Sequence, residues 1–165
     1  MQGYFKPNPR LKYNTGAKGV HVLAGVGSGK ILLWEYIEGR WNAAEAERIY
    51  KGPMKRALQK EYPDRTRFTV LEDNDPTGYR SKKGMQAKTE AKIDVFAIPK
   101  HGPELNICDY WLWKQVNAKM REQERNWPKG KKEDRDGYFR RLKRTAMSLT
   151  KEEIDDAQGS MKRRI

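Results

Sequence analysis

Two aspartates occupy positions where a carboxylate can do more than solvate a surface. Asp73 lies near the end of "RFTVLEDN", Arg67 to Asn74, a β-prone run that reads as a strand finishing in acid groups. The carboxyl ends of strands are where open α/β sheets gather ligands. Asp109 heads a helical stripe continued by Leu112, Trp113, Val116 and Met120, at offsets 3, 4, 7 and 11. That spacing predicts a core-facing carboxylate, which is costly unless it is paired or bound to a cation. Each residue also has an ordinary explanation: favourable placement near a helix N-terminus for Asp109, and an Asx-type turn before Pro76 for Asp73. Taken together, carboxylates from a strand end and a neighbouring helix offer the oxygen ligands that magnesium prefers, and manganese can take its place.

A second candidate is "AGVGSGK", Ala24 to Lys30, which looks like a phosphate-binding loop. The loop needs G-x-x-x-x-G-K-[ST], so that backbone N–H groups wrap the phosphates, the lysine reaches them and the hydroxyl holds magnesium. Counting from Gly29-Lys30, the first glycine position holds Ala24 and the hydroxyl position holds Ile31. The following "ILLWEYI" is strand-like, whereas the loop should open a helix. The segment therefore reads as a hairpin turned by Gly27 to Gly29, and no nucleotide binding through Lys30 is expected. His21, His101 and the single Cys108 have no zinc-ligand spacing.

The elements that would position the acids follow from pattern. Residues 1–19 mix Pro, Gly, Asn and Lys and read as an irregular basic arm, with a short strand at Leu11 to Tyr13 as an option. Val20, Val22, Ala24 and Val26 alternate in the first strand of the hairpin. "NAAEAERIYKGPMKRALQKEY" is predicted helical, with Asn42 as cap, Glu45 at capping-box spacing and a kink or division at Gly52-Pro53. After the Asp73 strand come a turn at "DPTGY", a short basic helix at "SKKGMQAKTEAKI", a strand at "VFAIP" and a helix from about Ile107 to Asn126. Beyond Trp127-Pro128, "GYFRRLKRTAMSL" and a helix opened by Thr150 and Glu153 form residues 128–165, a basic helical extension of the 20–127 unit. The order of elements is that of a layered α/β fold. Trp111 and Trp113 are read as core or as flanking the acid site, with base stacking as the alternative.

Charge points to the partner. The 165 residues carry 35 Lys+Arg against 22 Asp+Glu, a net charge of +13, which suits a polyanion because phosphate neutralisation releases condensed counterions. Lys82, Lys83 and Lys88 in one helix, and Arg140, Arg141, Lys143 and Arg144 in another, are the candidate DNA phosphate contacts. The lone cysteine fits a reducing compartment, no apolar run approaches a membrane span, and "MQGYFKPNPR" lacks the apolar core of a signal peptide. The expectation is an intracellular protein, nuclear in a eukaryotic cell, with no membrane partner.

"VLEDNDPTGY" followed by "IPKHGPELNICDYWLW" resembles the mariner-like DDE superfamily of transposases and endonucleases. Their second acid lies in a strand motif like Q-D-N-x-P, and their third follows a loop like S-P-D-L-N-P. On that resemblance Asp73 matches the second acid and Asp109 the third, and their separation of 109 − 73 = 36 positions is close to the family's. The hairpin, "EGRWNAAEAERIY" and "GSMKRRI" also resemble the family, so that the likeness covers most of the chain from about Lys12. It implies an RNase H-like mixed sheet flanked by helices, a catalytic domain that cuts and joins DNA, Mg2+ or Mn2+ held by three carboxylates, and self-association into a homo-oligomer. The first acid belongs on a strand upstream of the hairpin, yet no Asp precedes Asp64, and Glu35 and Glu38 are poor substitutes by position. The chain thus reads as a copy truncated at its N-terminus and lacking the first strand, with the metal weakly held if at all. Gly78-Tyr79 stands where many members carry a histidine. The expected function is a transposase catalytic-domain fragment that binds DNA and does not cut it alone; the alternative is a non-enzymatic nucleic-acid-binding protein derived from one.

Overall fold

The computed structural model describes residues 2–5, 20–73, 75–98, 102 and 105–160. Its elements in chain order are the strands β1 (Gln2–Phe5), β2 (Val20–Gly27) and β3 (Lys30–Ile37), the helices α1 (Ala43–Ile49) and α2 (Lys55–Glu61), strand β4 (Phe68–Glu72), helix α3 (Lys82–Ala91) and strand β5 (Ile93–Ala97). The helices α4 (Trp113–Arg125), α5 (Arg135–Met147) and α6 (Lys151–Gly159) complete it. A π-helical segment, Tyr50–Met54, joins α1 to α2 and contains Gly52 and Pro53; a second, Cys108–Leu112, leads into α4.

β2 and β3 form the expected antiparallel hairpin, turned at Ser28 and Gly29, both with positive φ. Lys30 pairs with Glu61 at 2.6 Å, a structural partner for the lysine of the rejected phosphate loop. A Cβ on Gly29 would meet Lys151 and Asp155 of α6, so the turn packs under the last helix as well as requiring a left-handed backbone. β1 pairs antiparallel with the other edge of β2, from Gln2 opposite Leu23 to Phe5 opposite Val20. This corrects two expectations: the first nineteen residues are not wholly irregular, and a short strand does lie beside the hairpin. Sequence pattern missed it because four residues containing a glycine carry no readable alternation. The optional strand at Leu11 to Tyr13 lies outside the described residues.

β4 and β5 run parallel, joined by α3 in a β–α–β crossover. They make a two-stranded sheet of their own, and among the described residues no ladder joins β4 to β2. Both faces of the hairpin are buried, and its alternation divides the core. Leu23, Leu33 and Ile37 pack with α1, α2 and α3 through Ala46, Ile49, Leu58, Ala87 and Ala91. Val22, Ala24 and Trp34 pack on the opposite side with Leu112, Val116, Leu142, Ala146, Ile154 and Ala157. The segment after residue 127, helical as expected, contributes Leu142, Ala146, Ile154 and Ala157 to this second core. A run that reads as basic on one face contributes buried Leu142 and Ala146 from the other.

Candidate functional site

Alternation in β4 positions Asp73. Phe68 and Glu72 face inward, and at the strand's end the chain presents Asp73 to solvent. Glu72 is the unusual residue, a buried carboxylate. Tyr50 Oη donates to its Oε2 at 2.5 Å, and the Lys88 ammonium donates both to its Oε1 and, at 2.7 Å, to the carbonyl of Tyr79. Lys88 is only 2% exposed and lies 4.8 Å from the centre of the Tyr50 ring. Burial beside the Glu72 charge pushes the Tyr50 hydroxyl well above the ordinary tyrosine range. The network ties β4, α3 and the first π-helical segment together directly behind Asp73. Asp75 caps the following turn, accepting from the Thr77 N–H at 2.8 Å.

Asp109 is carried by the second π-helical segment. Asn106 opens that segment: its side chain accepts from the Cys108 N–H at 3.1 Å and its carbonyl accepts from the Asp109 N–H at 2.9 Å. Cys108 is buried against β2, with Sγ 3.8 Å from the Ala24 carbonyl oxygen, and burial pushes its thiol up to about 11. Tyr110 Oη donates to the Ala157 carbonyl at 2.8 Å, fixing the segment to α6.

The core-facing orientation expected for Asp109 does not hold. The wider π turn shifts the phase of the stripe, so Cys108 and Leu112 face the core while Asp109 is exposed. The rest of the stripe is in place, with Val116 and Met120 buried and Trp113 half-buried. Partial burial still raises the Asp109 carboxyl above the usual range, and the negative charge of Asp73 adds to that shift. Among the described residues no group of three His, Cys, Asp or Glu side chains could hold a metal ion.

The basic candidates divide. Lys82 and Lys83 at the start of α3 are exposed, as are Arg140, Lys143 and Arg144 on α5. Lys83 lies 3.7 Å from Glu47 and keeps most of its side chain in solvent. A surface phosphate contact is ruled out for Lys88 by the buried pair described above. Arg141 is likewise engaged internally: its guanidinium donates to Glu133 at 2.7 Å and Glu124 at 2.8 Å and stacks on Trp127 and Tyr138. Both belonged to Lys/Arg clusters in which periodicity distinguishes faces without revealing which cation has a buried carboxylate to meet. Glu72 and Tyr50 were the functional-site neighbours missed; Glu72 reads in sequence as one acid in an acidic strand end.

Gly78 lies under the Trp41 ring, where a Cβ would come within 1.9 Å of Nε1, and Tyr79 packs on the same ring at 4.9 Å. Of the two positions at which the resemblance would place a histidine, Gly78 has no room for a side chain beside Trp41, and Tyr79 is filled by a buried aromatic ring.

By sequence, no known protein family matches the chain, and no curated protein does. By structure there is a clear likeness. The catalytic domain of the Mos1 mariner transposase superimposes with a TM-score of 0.73 at 18% identity, over 99% of this chain and 76% of that one. The chain shares the fold of that domain. The same domain solved with Raltegravir and Mg gives a TM-score of 0.73 at 16% identity over 77% of its length. The Mos1 paired end complex with Mn gives 0.74 at 15% identity, over 99% of this chain and 52% of that one. The mixed α/β architecture with flanking helices is thus consistent with the RNase H-like expectation.

Proposed function

We propose that this chain is a DNA-binding derivative of a DDE-type transposase catalytic domain, in which Asp73 and Asp109 form an incomplete divalent-metal site. The observation that carries the reading is the fold shared with the Mos1 catalytic domain, on which Asp73 ends β4 and Asp109 stands at the start of the second π-helical segment. Their oxygens suit Mg2+ or Mn2+, and a cation between them would offset the desolvation, and the lesser effect of the Asp73 charge, that raise the Asp109 carboxyl. When bound, such an ion would polarise an attacking water or a DNA 3′-hydroxyl. The protein's own contribution is positioning. The buried Glu72–Lys88–Tyr50 network fixes the strand end behind Asp73, and the Asn106 cap with buried Cys108 fixes the turn that carries Asp109. Lys82, Lys83, Arg140, Lys143 and Arg144 would orient the duplex through its phosphates. Self-association and DNA are the partners of this reading, since the comparable Mos1 structures include paired-end complexes.

The test is incubation of the purified chain with supercoiled DNA in Mg2+ or Mn2+. Salt-sensitive binding without nicking is expected. Metal-dependent nicking that disappears in both Asp73→Ala and Asp109→Ala would overturn the inactive reading and make the chain an endonuclease. A second reading, a nucleic-acid-binding protein with no metal, is favoured because among the described residues no group of three His, Cys, Asp or Glu side chains could hold a metal ion. Manganese-induced NMR broadening at Asp73 and Asp109, absent from both variants, separates the two.

A further inference from the structure

The two faces of the β4–β5 pair are covered differently. Register sets Phe68 beside Ile93, and that face packs into the core shared with α1, α2 and α3. Side chains alternate along a strand, so the other face carries Thr69 beside Asp94 and Leu71 beside Phe96. The core formed by α4, α5 and α6 with the hairpin takes no residue from β4 or β5 among the described residues. Leu71 is accordingly 41% exposed and Phe96 63%, the most exposed large apolar side chain among the described residues. A paired aromatic and aliphatic side chain left in water on a sheet surface is the kind of exposure that calls for an explanation.

The chemistry of this face changes along the strands. At their start Arg67 grips Asp94 with two donors, at 2.5 and 2.8 Å, which neutralises the carboxylate while most of the guanidinium stays in solvent. Exposed Lys92 stands beside it, its carbonyl accepting from the Phe68 N–H at 3.0 Å. At the far end Asp73 follows Leu71 by two positions. Cations, an apolar aromatic step and an acid thus succeed one another over about 20 Å of strand. Area argues against a second copy of the chain as the occupant, because two partly exposed side chains fall far short of the roughly 800 Å² that each partner buries in a stable interface. A single strand of nucleic acid fits better: an unpaired base stacks its π-face on an exposed ring, and the neighbouring phosphates meet the cations. In a duplex those base faces are already covered by the stack.

We infer that the open face of β4 and β5 is a platform for single-stranded nucleic acid, with an unpaired base stacked on Phe96 beside Leu71 and the backbone phosphates at Arg67 and Lys92. This rests on the DNA-binding reading and adds to it the strandedness of what is held next to Asp73; the metal plays no part in it.

The test measures fluorescence anisotropy of the full chain with a short labelled oligothymidylate, an abasic strand of equal length and a duplex, all at one salt concentration. Phe96→Ala is expected to weaken oligothymidylate binding at least about fivefold while leaving the abasic strand and the duplex within about twofold, and Phe96→Trp to keep the wild-type affinity. Phe96→Leu, which stays apolar but cannot stack, should behave like Phe96→Ala. The exposure of Phe96 leaves the fold intact in all three variants, which circular dichroism checks. Unchanged oligothymidylate binding in Phe96→Ala, with the duplex still bound, would overturn this inference and leave the DNA-binding reading standing. Failure of the wild-type chain to bind any of the three would overturn both. Self-association in sedimentation that Phe96→Ala abolishes would assign the face to a second copy and overturn the inference as well.

Discussion

Lys88 sits in the middle of a basic helix and is nonetheless sealed from solvent against Glu72. Removing one member of such a pair strands the other charge, at a cost of about 3–5 kcal/mol, whereas replacing both by neutral groups of similar size is often nearly neutral. Lys88→Met should therefore lower stability by about that amount in urea titration, and Glu72→Gln combined with Lys88→Met should recover most of the loss. Asp109 makes the opposite kind of prediction. Its folded-state carboxyl titrates above the usual range because of burial and the Asp73 charge, so the folded chain holds that proton more tightly than the unfolded chain. The resulting penalty is present above the folded-state value and vanishes below the unfolded one. Asp109→Asn should thus raise the Tm slightly at neutral pH, with the gain closing as the pH falls below the ordinary carboxylate range. At this scale the sequence singled out Asp73 and Asp109 as candidates, through a strand end, a helical stripe and a family-like spacing, and their joint role remains a proposal. It could not show which way Asp109 turns, because a π segment breaks the α-helical phase on which the inference rests, nor which lysine is buried, because Glu72 lies sixteen positions from Lys88 and on another element.

The elements were more readable, since their boundaries depend on local chemistry. Asn42, Ser81, Asp134 and Thr150 each cap a helix by accepting from its first N–H groups. At Thr150 the full capping box forms, with the Glu153 side chain accepting from the Thr150 N–H at 2.7 Å. Thr150→Ala should cost about 1 kcal/mol by thermal denaturation. The Glu153 carboxyl is held low, chiefly by the Thr150 backbone N–H and also by Lys119. A depressed folded-state value contributes stability above the unfolded one and loses it as pH falls through the folded one. Amide protection in the first turn of α6 should accordingly weaken in acid, below the ordinary glutamate range. What local chemistry could not give was assembly. β1 is short and owes its place to the edge of β2, and that no ladder joins β2 to β4 among the described residues is a tertiary fact with no local signal.

For the molecule as a whole, the net charge of +13 is what the proposed DNA binding would draw on. If Lys82, Lys83, Arg140, Lys143 and Arg144 all neutralise DNA phosphates, log K should fall with log salt at a slope of about −4 to −5. Replacing Arg140, Lys143 and Arg144 by glutamine should flatten that slope by about 3 in filter-binding or fluorescence titrations. Arg141→Gln should act differently, lowering stability through the lost clamp on Glu124 and Glu133.

The hairpin has one further consequence, which concerns synthesis. Its Tyr36 hydroxyl meets the Phe139 carbonyl 103 positions later, and its turn lies beneath α6. At about 5–20 residues per second the ribosome would deliver those partners roughly 5–20 s after the hairpin itself. Through that interval Val22, Ala24 and Trp34 have no cover from α5 and α6, so the nascent chain carries an open apolar surface that a chaperone would find before its own C-terminus does.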